Sequence, residues 1–513
     1  MTPTGEQLAL IESRARIVVG NAYAGGGKST TGMLYCERNP SEDIVYLTFN
    51  ASNQQDLAGK IRERGLTRAK ALTTHALARR QLIAQGRLKE DHILKQWNAY
   101  SVREMLQQLR QVGTASGYRP AALTQRVLEA FFQSSSRHTE PGEIHVEKMR
   151  DEWGMSDVEA RSSLDMARAV WAEMRKPDRR IGISFDGFLK LWTMDKPQLG
   201  VDTIILDEFQ DTRPCVLDML MAQRTARLIA LGDEHQSIYQ FTGAVNAGQP
   251  LLADPRSERF DLTRTWRFGQ GIADIANTIL HELKGEHNRI IGMGPAGGDG
   301  GPMAYLSRTN ATLYALAFNQ DGADIHWNGG INRYPLQDAV DAWNLKIRNR
   351  SEIKNPFLKR FASWDDLVDY GEMAKDPDVT QLTKLIDEYG EAIPHKVSLV
   401  RSNAVIDPKR AELILSTAFI SKGGEWNEVR LAEDFEYLID AEEAFANGRC
   451  LSLAQIQEVN LGYVAVTRAK RRVHLNTETQ TWLTNLERFQ RNRRHDPSKD
   501  GRSSKSGPRM RVA

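Results

Sequence analysis

The sequence predicts an α/β fold of two parallel-sheet domains carrying mainly helical insertions. Short β-branched runs of strand length recur, and each ends in polar or glycine-rich residues. Helix-like segments lie between several of these runs, as parallel strands require. The same pattern returns in the second half of the chain after a long interval without it.

Taken in order, Ile17-Val18-Val19-Gly20 runs into a glycine-rich loop, and Ile44-Val45-Tyr46-Leu47 runs into Thr48-Phe49-Asn50. Thr203-Ile204-Ile205-Leu206 leads to Asp207-Glu208, and Leu228-Ile229-Ala230-Leu231 leads to Gly232-Asp233. Ligands of such sheets bind beyond the carboxyl ends of the strands, where each of these polar clusters falls. Ala304-Tyr305-Leu306, Leu413-Ile414-Leu415, Val429-Arg430-Leu431 and Val473-His474-Leu475 repeat the theme. Residues 80–200 read as helical, with Leu123, Val127 and Phe131 on one face. Residues 318–395 are mixed and polar, and the Gly/Pro-rich residues 292–302 read as a loop. The expected units are 1–79 with 201–260, a helical insertion at 80–200, 261–317 with 396–485, a second insertion at 318–395, and a basic tail at 486–513.

Bulk properties narrow the class. A chain of 513 residues has room for roughly three or four domains, and 41% apolar content builds ordinary cores. Cys36, Cys215 and Cys450 are far apart and lack metal-ligand spacing, which argues against a disulfide scaffold or zinc module. There is no basic-then-apolar leader and no apolar run of membrane-span length, so a soluble, cytoplasmic protein is expected, with no membrane partner. Net charge is +2, but residues 491–513 carry +6 and are rich in Ser, Gly and Pro, so the tail is expected to be disordered.

Ala22-Tyr23-Ala24-Gly25-Gly26-Gly27-Lys28-Ser29 fits a phosphate-binding loop with Ala in place of the usual first glycine, and Thr30 follows. Its glycines let backbone N–H groups approach phosphate oxygens. Lys28 is placed to reach the β/γ-phosphates of ATP and Ser29 to ligate Mg²⁺. Asp207 is a second expected Mg²⁺ ligand, and Glu208 is placed to polarise water. The pair gains specificity from its continuation as Phe209-Gln210-Asp211-Thr212. Arg267 and Arg468, in distinctive later segments, are candidates to stabilise charge on the transferred phosphoryl group.

Together these motifs resemble superfamily 1 helicases of the UvrD/Rep type, most closely the F-box DNA helicase-like branch, over about Gln7 to Leu475. The resemblance implies two RecA-like motor domains and ATP-dependent movement on single-stranded or tailed duplex DNA, 3′→5′, in repair, recombination or replication. It makes Gln7 the adenine reader, Trp266 the aromatic packing on adenine, Gln236 the γ-phosphate sensor and Glu425 a ribose contact. Thr48, Phe49, Asn50, Thr74, His75, Tyr239, Phe241, Ser416 and Thr417 fall in its DNA-contacting segments, where aromatic faces stack on bases without reading sequence. The finer match rests on Phe185-Asp186-Gly187-Phe188-Leu189-Lys190-Leu191-Trp192, Trp266-Arg267-Phe268-Gly269 and Leu306-Ser307-Arg308-Thr309-Asn310-Ala311. No F-box is evident before Gln7, and the length resembles a bacterial, plasmid or phage version. Phe419, Gly424, Thr242 and Asn50-Ala51-Ser52 depart from the family pattern in DNA-contacting or coupling segments, which bears on unwinding and leaves the ATPase expectation intact; two alternatives stand beside the helicase. One is a translocase that strips proteins such as recombinase filaments; the other is a nucleotide-dependent subunit of a repair or defence complex.

Overall fold

The computed structural model describes residues 2–48, 51–113, 117–150, 153–239, 245–297, 301–320, 322–435, 437–438, 441 and 450–495. Two parallel sheets organise them. The first comprises β1 (Ile17–Ala22), β2 (Ile44–Thr48), β3 (Ala69–Thr73), β4 (Thr203–Asp207), β5 (Arg227–Gly232) and β6 (Ser257–Leu262), in the order β3-β2-β4-β5-β1-β6. A small parallel pair, β7 (Arg264–Thr265) with β8 (Ile291–Gly292), follows. The second sheet contains β9 (Met303–Ser307), β10 (Ile325–Trp327), β11 (Leu413–Thr417), β12 (Trp426–Leu431) and β13 (Ala469–His474), in the order β10-β11-β9-β12-β13. This is the α/β architecture that the strand pattern predicts, and it is consistent with the RecA-like domains that the resemblance implies.

Register decides what the first sheet presents at its edge. Asn21 of β1 lies opposite Gly232 of β5, and Asp207 of β4 lies opposite Leu231. The loop after β1, the acidic pair at the end of β4 and the Gly232-Asp233 turn therefore emerge side by side. Strands β1, β2 and β4 are buried throughout, as strands covered by helices on both faces must be.

Residues 80–200 hold the helices Ala99–Gln108, Arg119–Gln133, Glu143–Arg150, Asp157–Met174 and Phe185–Met194. Leu123, Val127 and Phe131 form the buried face of the second of these, and the Trp171 ring meets Phe131 and Phe132 at centroid distances of 5.0 and 5.7 Å. Each such buried apolar side chain contributes about 1.5–3 kcal/mol. Ser156 opens the helix Asp157–Met174 through a reciprocal cap with Glu159.

Three expectations need correction. Strand β10 lies inside the expected second insertion, yet Ile325 pairs with Leu413 in the second sheet. Ile325-His326-Trp327 is too short to stand out as an apolar run. The rest of that segment is not mixed but helical, over Leu336–Lys346, Trp364–Ala374, Pro377–Tyr389 and Ile393–Ser402; the buried Leu336, Ala339, Ala342 and Leu345 mark the inner face of the first. Lastly, helix Thr477–His495 enters the segment expected to be disordered from 486; residues 496–513 lie outside the described ones. Among the described residues, no helix is long and apolar enough to cross a membrane.

Candidate nucleotide site and nucleic-acid surface

The loop after β1 is shaped by its glycines. Gly25 and Gly27 have φ of +74° and +83°, a region that penalises any side chain. A Cβ on Gly25 would sit 2.2 Å from Thr265 Oγ1, and one on Gly26 would sit 2.8 Å from the carbonyl oxygens of Leu262 and Tyr23. Bare backbone is thus required where the loop threads between β6 and β7. Gly27 then starts the helix Lys28–Arg38 without a side-chain cap, leaving its first N–H groups for an anion.

A cleft of about 440 Å³ opens in front of this loop. Gly25, Gly26, Gly27, Lys28, Ser29 and Thr30 line one side, with Asp207, Glu208, Gln236, Trp266, Arg267, Glu425 and Arg468 around them. Lys28 Nζ lies 3.0 Å from Glu208 Oε2. Glu208 itself has φ +55°, a strained value for a non-glycine residue that turns its side chain off the end of β4. Burial works against its charge, but Lys28 and Lys422 outweigh burial and hold its carboxyl below the usual range. Burial and the Glu208 charge push the neighbouring Asp207 up. Two adjacent carboxylates, a serine hydroxyl, a lysine and a bare anion cradle form a donor set that fits a nucleoside triphosphate with a hard divalent cation.

The second sheet unit closes the cleft. Arg468 is fully buried, and its Nη2 donates to Gln236 Oε1 at 3.4 Å. Burial and the nearby Arg267 charge push Arg468 down to about 9. Arg267 pairs with Glu425 at 2.9 Å and donates to the Thr467 carbonyl at 3.3 Å. Glu425 also binds Lys470 at 2.9 Å. Trp266 is 51% exposed at the cleft edge, a large apolar surface open to a flat ligand.

Four expected nucleotide residues lie behind the cleft. Ala22, Tyr23 and Ala24 are buried. Gln7 Oε1 accepts from Thr4 N as part of a helix cap, while Gln7 Nε2 donates to Thr31 Oγ1. Its amide supports Gly27 from behind, since a Cβ there would lie 2.7 Å from Gln7 Nε2.

The expected DNA-facing residues are scattered in environment. Thr74 begins the helix Thr74–Ala84, and His75 Nε2 lies 3.5 Å from Asp186 Oδ1, with Phe188 edge-on to its ring. Tyr239 is half-buried; its hydroxyl donates to the Phe419 carbonyl at 3.0 Å, and Lys422 Nζ sits over its ring. Thr48, Ser416 and Thr417 are buried at strand ends, and Ser416 Oγ accepts from Asn328 Nδ2. Phe49, Asn50, Phe241 and the departure at Thr242 lie outside the described residues. Gly424 donates nothing from a side chain, but its carbonyl accepts from Arg468 Nη1.

Lys422, Asp211, Asp233 and Tyr463 were given no role by sequence reasoning. Lys422 pairs with Asp211, lies 3.7 Å from Glu208 and donates to the Gln236 carbonyl. Asp211 and Asp233 fall in motifs already singled out, but the partners of these four residues lie up to 439 residues away in sequence.

Residues 5–249 match the family model of the UvrD/REP helicase N-terminal domain. The chain is 31% identical over 493 residues to F-box DNA helicase 1 of Gallus gallus, which covers 89% of this chain and 47% of that protein. It is 26% identical over 526 residues to F-box DNA helicase protein 1 of Schizosaccharomyces pombe, covering 94% and 58%. DNA helicase IV of Escherichia coli is 26% identical over 334 residues, covering 55% and 48%. The chain thus spans about half the length of these curated relatives. They come from a bird, a yeast and a bacterium, so they lend no support to a specifically bacterial, plasmid or phage source. The matched family model, the relatives and the two parallel sheets agree: residues 5–249 carry a UvrD/REP helicase N-terminal domain, and the chain as a whole is similar to UvrD-like superfamily 1 helicases.

Proposed function

We propose that this chain is an ATP-driven motor on single-stranded DNA, a helicase or translocase that moves 3′→5′. The observation that carries this reading is the composite cleft. Lys28, Glu208 and Gln236 come from the first sheet unit, while Arg267, Lys422 and Arg468 come from beyond it. A triphosphate held there touches both units, so its hydrolysis changes the contacts that hold them together.

In this reading the loop N–H groups and Lys28 bind the phosphates, and Trp266 packs against the base. Ser29 and Asp207 would hold Mg²⁺, which supplies charge neutralisation on the phosphate oxygens. Glu208 orients the attacking water and takes its proton. Arg267 and Arg468 stabilise charge on the transferred group, for which Arg267 must exchange Glu425 for phosphate. Tyr239 and His75 mark the strand-facing side, joined by the segments around Thr48 and Ser416.

Steady-state ATP hydrolysis with and without single-stranded DNA tests the proposal, followed by strand displacement on duplexes tailed at either end. Expected are DNA-stimulated turnover, loss of that turnover in Lys28→Ala, and unwinding from a 3′ tail. Turnover indifferent to DNA overturns the motor reading. A second outcome, stimulated turnover and filament clearance without unwinding, favours a protein-stripping translocase acting on assemblies such as recombinase filaments. The departures at Phe419, Gly424 and Thr242 motivate that alternative.

A further inference from the structure

We propose that the Tyr463 hydroxyl is a positioning group through which the second sheet unit senses the occupancy of the phosphate loop. The inference rests on the nucleotide-site reading above and names the contact that transmits it.

Tyr463 lies on the helix Leu453–Val466 of the second unit and is fully buried. Its oxygen accepts from the Ala24 N–H at 3.0 Å, and its hydroxyl donates to Asp233 Oδ2 at 3.1 Å. A phenol has one proton, an amide only donates and a carboxylate accepts, so the direction of both bonds is fixed. Asp233 Oδ2 also accepts from Gln236 Nε2 at 2.7 Å, and Gln236 Oε1 accepts from Arg468 Nη2. Arg468 follows the same helix that carries Tyr463. The chain of bonds therefore runs from the loop backbone through Tyr463, Asp233 and Gln236 and returns to the second unit at Arg468.

Ala24, Asp233 and Gln236 are themselves buried, so no water stands ready to replace a lost bond. Any shift of the loop on taking up a phosphate moves the Ala24 N–H. The hydroxyl must follow or leave a buried donor orphaned. Its helix runs directly into Arg468, so the displacement reaches the phosphate-facing side of the cleft. Burial and the Asp233 charge push the Tyr463 hydroxyl well above its ordinary range, so it stays a donor at every working pH.

Tyr463→Phe removes only this oxygen. Hydrogen exchange of the helix peptide at 453–466 is to be measured with and without a non-hydrolysable ATP analogue, beside ATP turnover and melting temperature. In the wild type the analogue is expected to protect that peptide. In Tyr463→Phe the added protection disappears, analogue affinity stays within about threefold, and kcat falls about tenfold, the scale of one bond to a charged group. Protection that persists in Tyr463→Phe overturns the proposal. So does a loss of affinity in step with kcat and melting temperature, which marks a merely structural role. A wild-type chain that gains the protection but hydrolyses no ATP overturns the motor reading alone.

Discussion

Lys422 and Asp211 form a buried ion pair that joins the second sheet unit to the first. The Asp211 carboxylate is wholly inaccessible, and Lys422 also faces Glu208 and the Gln236 carbonyl. Breaking such a pair from one side leaves an uncompensated buried charge. Lys422→Met should therefore cost about 3–5 kcal/mol of stability, read as a lower midpoint in urea unfolding. Adding Asp211→Asn should restore most of that loss. A double variant as unstable as the sum of the two singles would deny that the pair acts as a unit.

Glu208→Gln separates binding from chemistry. The amide keeps the side chain's size but cannot take a proton from water. Turnover should fall by about 10²–10⁴-fold, while binding of a fluorescent non-hydrolysable ATP analogue is kept. Loss of binding equal to the loss of turnover would place Glu208 in the phosphate cradle instead.

Gly27→Ala tests the loop backbone. Left-handed φ costs a side chain roughly 1–2 kcal/mol, and the new methyl would press on Gln7 Nε2. Both a lower melting temperature and weaker analogue binding are expected. Gln7→Ala in the same background should relieve the contact but not the backbone cost, so recovery should be partial. Complete recovery would mean that φ is unimportant at this position.

Much of the first sheet was legible because its buried strands are continuous β-branched runs that end where ligands bind. Lys28, Asp207, Glu208, Gln236, Arg267 and Arg468, picked out in separate segments, line one cleft. Strand β6 was not legible, because Ser257-Glu258-Arg259 sits at a sheet edge and its side chains face water. Gln7 shows a different limit. The family resemblance gives it a ligand role, but its amide bonds Thr4 and Thr31, and only the packed structure reveals those partners. Tyr463 and Lys422 needed the fold outright, since each draws its meaning from a carboxylate on the other unit.

Lys190 lies in one of the three segments on which the finer family resemblance rests. Its side chain is fully buried among helices of the first insertion. Nζ donates to the Ser134 and Ser135 carbonyls at 3.0 and 2.6 Å and to Ser134 Oγ at 3.1 Å, and it lies over the Phe131 ring. Burial pushes the ammonium down to about 8 from 10.5, although Cys215 and Asp218 pull the other way. The folded chain therefore gives up this proton near pH 8, while the unfolded chain keeps it to about two units higher. In that window the unfolded state binds more protons, so Lys190's contribution to stability rises with pH; below pH 8 both states are charged and the penalty is constant. Lys190→Met carries no proton there. The wild-type-minus-variant difference in unfolding free energy should be flat from pH 6 to 7.5 and climb by up to about 3 kcal/mol towards pH 10. Urea titrations of both chains at each pH measure it. A difference that stays flat to pH 10 would mean that the three oxygens around Nζ hold the charge as well as water does.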